Sequence, residues 1–207
     1  MGNGVKELEV ILHGFILALG LILPLGVQNV FIFTQGATQP SLARALPATV
    51  TAAVCDTILI VLSVSGLSFL MLQVDGLRTL MMIGGIIFLV YMSVSIWRSS
   101  PTEKMEGAAL PVKKQILFAC SVSFLNPSAL VDIVGVIGTS SLQYSGYELL
   151  LFTISCIAVS WLWFFALMLA GARIKHVSNQ EKVMAIFNKS AAIFIFAMAI
   201  YLAVGLL

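Results

Sequence analysis

Runs of apolar residues long enough to cross a lipid bilayer dominate this chain and constrain its fold more than any other feature. A helix needs about 20 apolar residues to span a hydrocarbon core of roughly 30 Å. Six segments of the 207-residue chain meet this length: 10–34, 46–73, 79–97, 115–142, 148–171 and 189–207. The residues are 60% hydrophobic and 10% charged, as expected when lipid surrounds a helical bundle. The sequence therefore predicts an all-α membrane protein with six transmembrane helices, a multi-pass protein of the cell membrane.

The connections between the six segments leave no room for a second domain. The longest polar connections, 98–114 and 173–188, are too short to fold on their own. Residues 1–207 are therefore predicted to form one integral membrane domain, and we expect no enzyme activity and no cofactor. The net charge of +2 is too small and too scattered for nucleic-acid binding. The three cysteines show no metal-ligand spacing, so we expect no metal site.

Lysine and arginine residues divide unevenly between the two sides of the predicted bundle. With six spans, one side carries two of them, Lys6 and Arg78, and the other side carries nine. The nine are Arg44, Arg98, Lys104, Lys113, Lys114, Arg173, Lys175, Lys182 and Lys189. Because positively charged loops stay in the cytoplasm, the sequence predicts that both termini lie outside.

Two of the predicted spans contain residues that interrupt a helix. The stretch LILPLGVQNVF (21–31) contains Pro24 and Gly26, and the stretch SFLNPSALVD (123–132) contains Pro127. Proline lacks a backbone N–H and clashes with the preceding turn, and glycine relaxes the backbone further. In a membrane, the backbone groups freed in this way must face protein or a water-filled cavity. We therefore expect interrupted helices 1 and 4, with a simple proline kink as the alternative for each.

The two interruptions also indicate an internal repeat. When the two prolines are aligned, Asn29 coincides with Asp132, and each lies five residues after its proline. Each interruption lies in the first span of a group of three, so the second group enters the membrane with the opposite polarity. The sequence thus predicts two inverted three-helix repeats, approximately 1–100 and 112–207.

Polar side chains near the interruptions form the candidate binding site. Asp56 and Asp132 lie within spans, where an aspartate costs roughly 2.5–3.5 kcal/mol on insertion scales. No lysine or arginine lies in the core of a span to pair with them, and such carboxyl groups can exchange a proton for a cationic substrate. The amides of Gln28, Asn29 and Asn126 are nearby, and the N-terminus of a half-helix can hold a substrate carboxylate. A structural role, as a protonated group bonded to a neighbouring helix, is the alternative for each aspartate.

Two further sets of residues in the spans are predicted to serve packing. Trp161 and Trp163 lie in the middle of the fifth span rather than at a membrane boundary. For these two rings, a cation–π contact with a guanidinium group is the alternative. The small pairs Gly84–Gly85 and Ala191–Ala192 permit close approach of neighbouring helices.

The motifs around both interruptions resemble those of a known family. LILPLGVQNVFIFTQG (21–36) is similar to the opening motif of the LysE family of amino-acid exporters, in which G-x-Q-N-x-F is followed by Q-G. SFLNPSALVD, the segment around Asp56 and the tryptophan-rich SWLWFF also fit, so the resemblance covers nearly the whole chain in order. The LPLGVQN form and the aspartate after LNP resemble the LysE/ArgO-type branch, which exports basic amino acids. The resemblance implies that the substrate site is lined by Gln28, Asn29, Asp56, Asn126 and Asp132.

The sequence therefore predicts a secondary active exporter of amino acids, most suited to arginine or lysine because two aspartates can meet two positive groups. The sequence contains no ATP-binding P-loop, so a proton gradient or the membrane potential is the expected energy source. Antiport with protons and a homo-oligomeric assembly in the lipid bilayer are both compatible with the pattern. One alternative is export of neutral amino acids or of another small solute. The other is a membrane thiol oxidoreductase of the CcdA type, although no cysteine lies beside Pro24 or Pro127.

Overall fold

The protein is helical in the part of the chain that the computed structural model describes, residues 2–24, 26–66, 75–98, 109–126, 130–174 and 180–204. Within these residues, eight α-helices and one π-helix follow one another: α1 (Gly2–Ile22), α2 (Val27–Thr38), α3 (Leu42–Val64), α4 (Asp75–Trp97), α5 (Val112–Leu125), the π-helix (Val131–Gly138), α6 (Thr139–Ser141), α7 (Gly146–Ile174) and α8 (Gln180–Val204). The prediction of an all-α protein is confirmed for these residues.

Two helices of the described chain, α3 and α7, are long and apolar enough to cross a membrane. The segment Gly4–Ile22 of α1 and the whole of α2 make a third span if they are counted together, although their axes differ by 80°. Shorter apolar segments are present in α4 and α8, at Ile86–Trp97 and Ala185–Tyr201. The count of six spans and their inverted arrangement remain predictions.

The first predicted span is interrupted between α1 and α2. The first helix ends at Ile22, and the second begins at Val27 after Gly26, whose backbone is extended with φ −73° and ψ 172°. Pro24 lies between the two helices and has no N–H to continue the ladder of hydrogen bonds. The interruption therefore lies where proline and glycine predict it.

The fourth predicted span is also divided into two helical pieces. Helix α5 ends at Leu125, and Asn126 has an extended backbone. Helical structure is present again at Leu130 and continues as the π-helix, a form that often occurs at functional sites. Pro127 lies outside the described residues, so its part in this interruption remains a prediction.

Three groups of buried apolar side chains hold the helices together. The first group joins α2, α3, α5 and α7 and includes Ile32 and Phe164. The second joins α4 and α8 to α2 and α5 through residues such as Leu89 and Ile195. The third joins α1, α3, the π-helix and α7 and includes Ile60. Helices α4 and α8 pack mainly against each other, whereas α7 packs against α1, α2 and α3.

Helices α2 and α7 touch through their backbones at two glycines. A Cβ atom added to Gly36 would collide with the Met168 carbonyl, and one added to Gly171 would collide with the Phe33 carbonyl. Small residues allow this closeness between helices in membranes, where packing rather than the hydrophobic effect drives association. The contact fixes the position of α2, and thus of the residues that follow the first interruption.

The two small pairs predicted to favour close packing differ in their surroundings. Ala191 and Ala192 are buried in the second group, and the Ala192 carbonyl accepts a 2.8 Å hydrogen bond from the Ser93 hydroxyl. Gly84 has no described atom within 4 Å of a Cβ position, so nothing in the described chain supports close packing there. The surroundings of Gly85 lie outside the described residues.

Gln115 enters the hydrogen-bond ladder of α3 beside Pro47, which lies inside that helix. The Gln115 Oε1 atom accepts a hydrogen bond from the Ala48 backbone amide at 3.1 Å. Its Nε2 atom donates to the carbonyls of Arg44 at 2.9 Å and Leu110 at 2.8 Å. In a regular helix the Ala48 amide would donate to the Arg44 carbonyl itself. The side chain therefore replaces one backbone hydrogen bond and joins α5 to the start of α3.

Candidate functional site

A cavity of about 110 Å³ lies between the helices, with walls drawn from all three groups of buried side chains. Phe164 comes from the first group, Leu89 from the second and Ile60 from the third. Its volume is of the same order as the ~150 Å³ cavity that holds a benzene molecule in an engineered protein. The space therefore suits a small organic molecule, and most of its wall is apolar.

Both interruptions contribute polar groups to the wall of this cavity. The first interruption contributes Pro24, Gly26, Gln28 and Asn29 to the wall, and the second contributes Asn126. All five are residues that the sequence predicts for the site, and they lie together although about a hundred positions separate the two stretches. Part of the irregular backbone at both interruptions therefore lines a cavity, which is where a membrane protein tolerates unpaired backbone groups.

Two other predicted site residues have no described side chain. Pro127 lies outside the described residues altogether. Asp132 belongs to the π-helix, and its side chain lies outside the described part of the chain. Its neighbours Ile133 and Ile137 in the same helix line the cavity. The binding role of Asp132 remains a prediction.

Asp56 supplies a carboxyl group from the middle of α3. It lines the cavity and is 6% exposed. Its Oδ1 atom accepts a hydrogen bond from Gln28 Nε2 at 3.3 Å, and the Ser160 side chain lies against the same carboxyl group. None of the described wall residues is a lysine or arginine. Because a buried carboxylate is costly without a counter-charge, this position suits either a cationic ligand group or a bound proton.

Asn29 holds the first interruption in its shape. Its Nδ2 atom donates hydrogen bonds to the carbonyls of Ile22 at 2.7 Å and Pro24 at 2.8 Å. The Ile22 carbonyl ends α1, where a helix has no backbone partners for its last C=O groups, and the Pro24 carbonyl, between the helices, also accepts from the Gly26 amide at 2.7 Å. The Asn29 Oδ1 atom accepts a hydrogen bond from Trp163 Nε1 at 3.3 Å. Both amide hydrogens of Asn29 are thus used by the backbone, and its oxygen, which already accepts from Trp163, has one further acceptor position for a ligand.

The N-terminus of α2 opens onto the same cavity. Gly26, Val27 and Gln28 line the wall there, and the N-cap residue Gly26 has no side chain with which to cap the first turn. The free N–H groups at a helix start carry partial positive charge and favour anions. The cavity therefore places a group that attracts an anion close to Asp56, which attracts a cation.

Helix α7 carries two residues of the cavity wall and two tryptophans that the sequence predicts to serve packing. Trp161 and Trp163 do pack against the first group, as predicted, and Trp161 Nε1 also donates to Thr57 Oγ1 at 3.0 Å. Ser160 and Phe164 line the cavity. A spacing of three or four residues puts Ser160, Trp163 and Phe164 on one face of a helix, and this spacing could have indicated their shared surroundings.

The fold and the cavity define an integral membrane protein whose polar site lies where helices are interrupted. Residues 19–206 match the family model described as "LysE type translocator". The chain therefore belongs to the LysE family, and the resemblance seen in its motifs is confirmed.

Curated relatives agree with this membership. The YisU protein of Bacillus subtilis (strain 168) is 50% identical over 201 residues, covering 97% of this chain and 91% of that protein. Its name assigns it provisionally to amino-acid transport. The arginine exporter proteins ArgO of Salmonella paratyphi A and Salmonella typhimurium (strain LT2) are each 31% identical over 197 residues, covering 92% of both chains. No solved structure matches the chain.

Proposed function

We propose that this protein exports amino acids across the cytoplasmic membrane and that its substrate is basic, either arginine or lysine. The observation that carries this proposal is the Asp56 carboxyl group in a cavity whose described wall contains no lysine or arginine. The guanidinium or ammonium group of a basic substrate supplies the missing positive charge, and a neutral side chain does not. The names of the ArgO relatives support the same substrate class.

The remaining charges of the substrate have partners in the same proposal. The free N–H groups at the start of α2 receive the α-carboxylate, as half-helix termini do in other transporters. Asp132, one residue before the cavity-lining Ile133, is proposed to receive the second positive group. A zwitterion with an additional cationic end thereby meets two acids and one helix terminus.

Export of a cation requires an energy source. Moving one positive charge outward against an inside-negative potential costs about 2.3 kcal/mol per 100 mV. We propose that proton entry supplies this energy and that Asp56 binds the proton after the substrate has left. The same carboxyl group then holds either a proton or a substrate cation, which couples the two movements.

The architecture that we propose for this function is two inverted repeats of three spans, with both termini outside. The packing of the described helices supports it. Helices α1 and α2 pack along α7, α5 and the π-helix pack along α3, and α4 packs on α8. When the two halves are exchanged, the contact of α1 and α2 with α7 becomes the contact of α5 and the π-helix with α3, and the contact of α4 with α8 stays the same. A two-fold axis in the membrane plane requires this relationship.

A competition series tests the substrate class. Inverted membrane vesicles that contain the protein are supplied with radiolabelled arginine, and each unlabelled amino acid is added in excess. We expect lysine and arginine to compete and neutral amino acids such as leucine not to compete. Equal competition by neutral amino acids would instead indicate that the protein exports neutral amino acids.

A second assay tests the coupling. Proteoliposomes are given a proton gradient, a membrane potential or neither, and arginine flux is measured in each case. We expect flux against a concentration gradient when protons move in the opposite direction. Uphill flux that persists after both gradients have collapsed would exclude secondary active transport.

A further inference from the structure

The thiol groups of Cys55 on α3 and Cys120 on α5 are in contact, with their Sγ atoms 3.8 Å apart. The two cysteines are 65 positions apart in the chain, so the sequence alone does not reveal their contact. A disulfide bond is about 2.05 Å long, so the two sulfur atoms have to approach by about 2 Å to form one. Cys156, the third cysteine, lies elsewhere, and its thiol donates to the Gly14 carbonyl at 3.5 Å.

The two thiols of the pair differ in their access to the surroundings of the bundle. Cys55 is 4% exposed, whereas Cys120 is partly exposed. Leu117 and Phe124, three residues before and four residues after Cys120, are exposed on the same face of α5. In a membrane, such an apolar face meets lipid chains. Cys120 is therefore the thiol that a lipid-soluble reagent meets first, and Cys55 lies behind it.

A third side chain completes this seam between α3 and α5. Ser123 lies one turn after Cys120, and its hydroxyl group is adjacent to the Cys55 thiol. That hydroxyl is buried and has no nitrogen or oxygen partner among the described residues. Its neighbour in the described chain is the Cys55 thiol, so the hydroxyl lies where it can donate to an oxygen atom that arrives at the pair.

We propose that Cys55 and Cys120 form a dithiol site that lipid-soluble organic hydroperoxides oxidise to a disulfide. The sulfur of Cys120 attacks the O–O bond and takes one oxygen, which gives a sulfenic acid and releases the alcohol. The sulfur of Cys55 then displaces the sulfenic hydroxyl group, which leaves as water with the Cys55 proton. Two thiols and one hydroperoxide are consumed, and one disulfide, one alcohol and one water are formed.

The disulfide has a direct consequence for the cavity. It joins α3, which carries Asp56, to α5, which ends beside Asn126 in the cavity wall. Two helices that bring polar groups to the site are then fixed to each other, and we expect oxidation to stop transport. This consequence rests on the proposed transport function, whereas the thiol chemistry does not.

The chemistry is tested on the full-length protein in proteoliposomes treated with cumene hydroperoxide. After denaturation, we expect the number of free thiols to fall from the three present in the untreated chain to one. Peptide mass spectrometry should find Cys55 linked to Cys120 and Cys156 unmodified. Loss of the Cys156 thiol at the same rate, or absence of the linked peptide, would overturn the proposal without the need for any variant.

Single variants assign the order of the two steps. In Cys55→Ala we expect a sulfenic acid on Cys120 that dimedone traps, and in Cys120→Ala we expect both remaining thiols to survive. A trapped sulfenic acid on Cys55 in the second variant would contradict the assigned order.

Arginine flux is then compared before oxidation, after oxidation and after dithiothreitol, with Cys156→Ala as the matched control.

The flux measurements separate this proposal from the transport proposal. We expect oxidation to abolish flux and dithiothreitol to restore it, in the wild-type protein and in Cys156→Ala alike. A disulfide that forms while flux is unchanged would refute the control of transport by this pair. Absence of arginine flux from the reduced protein would refute the transport proposal instead and leave the thiol chemistry standing.

Discussion

Asn29 and Ile22 lie on opposite sides of the first interruption, and the Asn29 amide donates a 2.7 Å hydrogen bond to the Ile22 carbonyl. The same amide group donates to the Pro24 carbonyl at 2.8 Å. A buried carbonyl without a partner costs about 1–3 kcal/mol, so the side chain stabilises the shape that brings the start of α2 to the cavity. A polar residue shortly after the proline is thus part of the interruption and not merely a neighbour of it.

We expect Asn29→Asp to destabilise the protein by about 1–3 kcal/mol, because a carboxylate cannot donate to the Ile22 carbonyl, whereas the Pro24 carbonyl keeps the Gly26 amide as a partner. Trp163→Phe is the graded control, because it keeps an aromatic ring and removes the single bond from Nε1 to Asn29 Oδ1. Its expected cost is about 1 kcal/mol. Thermal unfolding in detergent, followed by circular dichroism, measures both. Equal stability of Asn29→Asp and the wild type would show that the bonds at the interruption contribute nothing.

Asp56→Asn should weaken arginine transport while the protein remains folded. Asparagine has nearly the same shape and its Oδ1 still accepts from Gln28, so the main change is loss of the negative charge. Removal of one partner of a buried ion pair costs about 3–5 kcal/mol, so the apparent affinity for arginine should fall by roughly 100-fold or more. The control is Glu148→Gln, which removes the acid that pairs with Lys6 at 2.9 Å. Flux assays on both variants measure the apparent affinity for arginine. An unchanged affinity in Asp56→Asn would contradict the proposed site.

Gly36→Ala and Gly171→Ala should each destabilise the protein, because the added methyl group meets a backbone carbonyl of the facing helix. Overpacking of this kind costs about 1–3 kcal/mol. Gly20→Ala is the matched control, since no described atom lies within 4 Å of its Cβ position. Because alanine favours helices over glycine, the control should be as stable as the wild type or more so. Melting temperatures of the three purified variants test this, and equal melting of all three would disprove the backbone contact.

Gln115→Leu removes two hydrogen bonds that join α5 to α3 and a third that ties α5 to Leu110 in its preceding segment. The Ala48 amide and the two carbonyls lose their partners, so we expect a loss of about 2–3 kcal/mol and a fall in melting temperature of about 5–10 °C. Gln143→Leu serves as the control, because Gln143 is exposed and makes a bond to the nearby Ser140 carbonyl and a long contact of 3.4 Å with His13 Nδ1. If both variants melt at the same temperature as the wild type, Gln115 has no structural role in α3.

Features that depend on local chemistry could be predicted from the sequence. Pro24 and Gly26 disrupt a helix wherever they occur, so the first interruption was visible. Asp56 was visible as a charge in an apolar segment, and it does line the cavity. The division of the fourth span was expected from Pro127 and is present at Asn126, although Pro127 itself lies outside the described residues.

Features that depend on pairing between distant helices could not be predicted in this way. Cys55 meets Cys120 across 65 positions, and Gln115 meets Ala48 across 67 positions. In both cases the packing of α3 against α5 decides the contact, and no periodicity within one helix encodes it. Gly36 illustrates the same point, because the family motif contains it whereas its contact with Met168 depends on where α7 lies.

The backbone contact between α2 and α7 also limits how the protein can move. Two helices whose main chains touch at Gly36 and Gly171 have no side chains between them to slide or rotate, so they travel as one rigid unit. Helices α4 and α8 pack mainly against each other and only lightly against this unit. We therefore expect a pathway from the cavity to open by movement of the α4–α8 pair relative to α2 and α7, with the second buried group between them as the surface that separates.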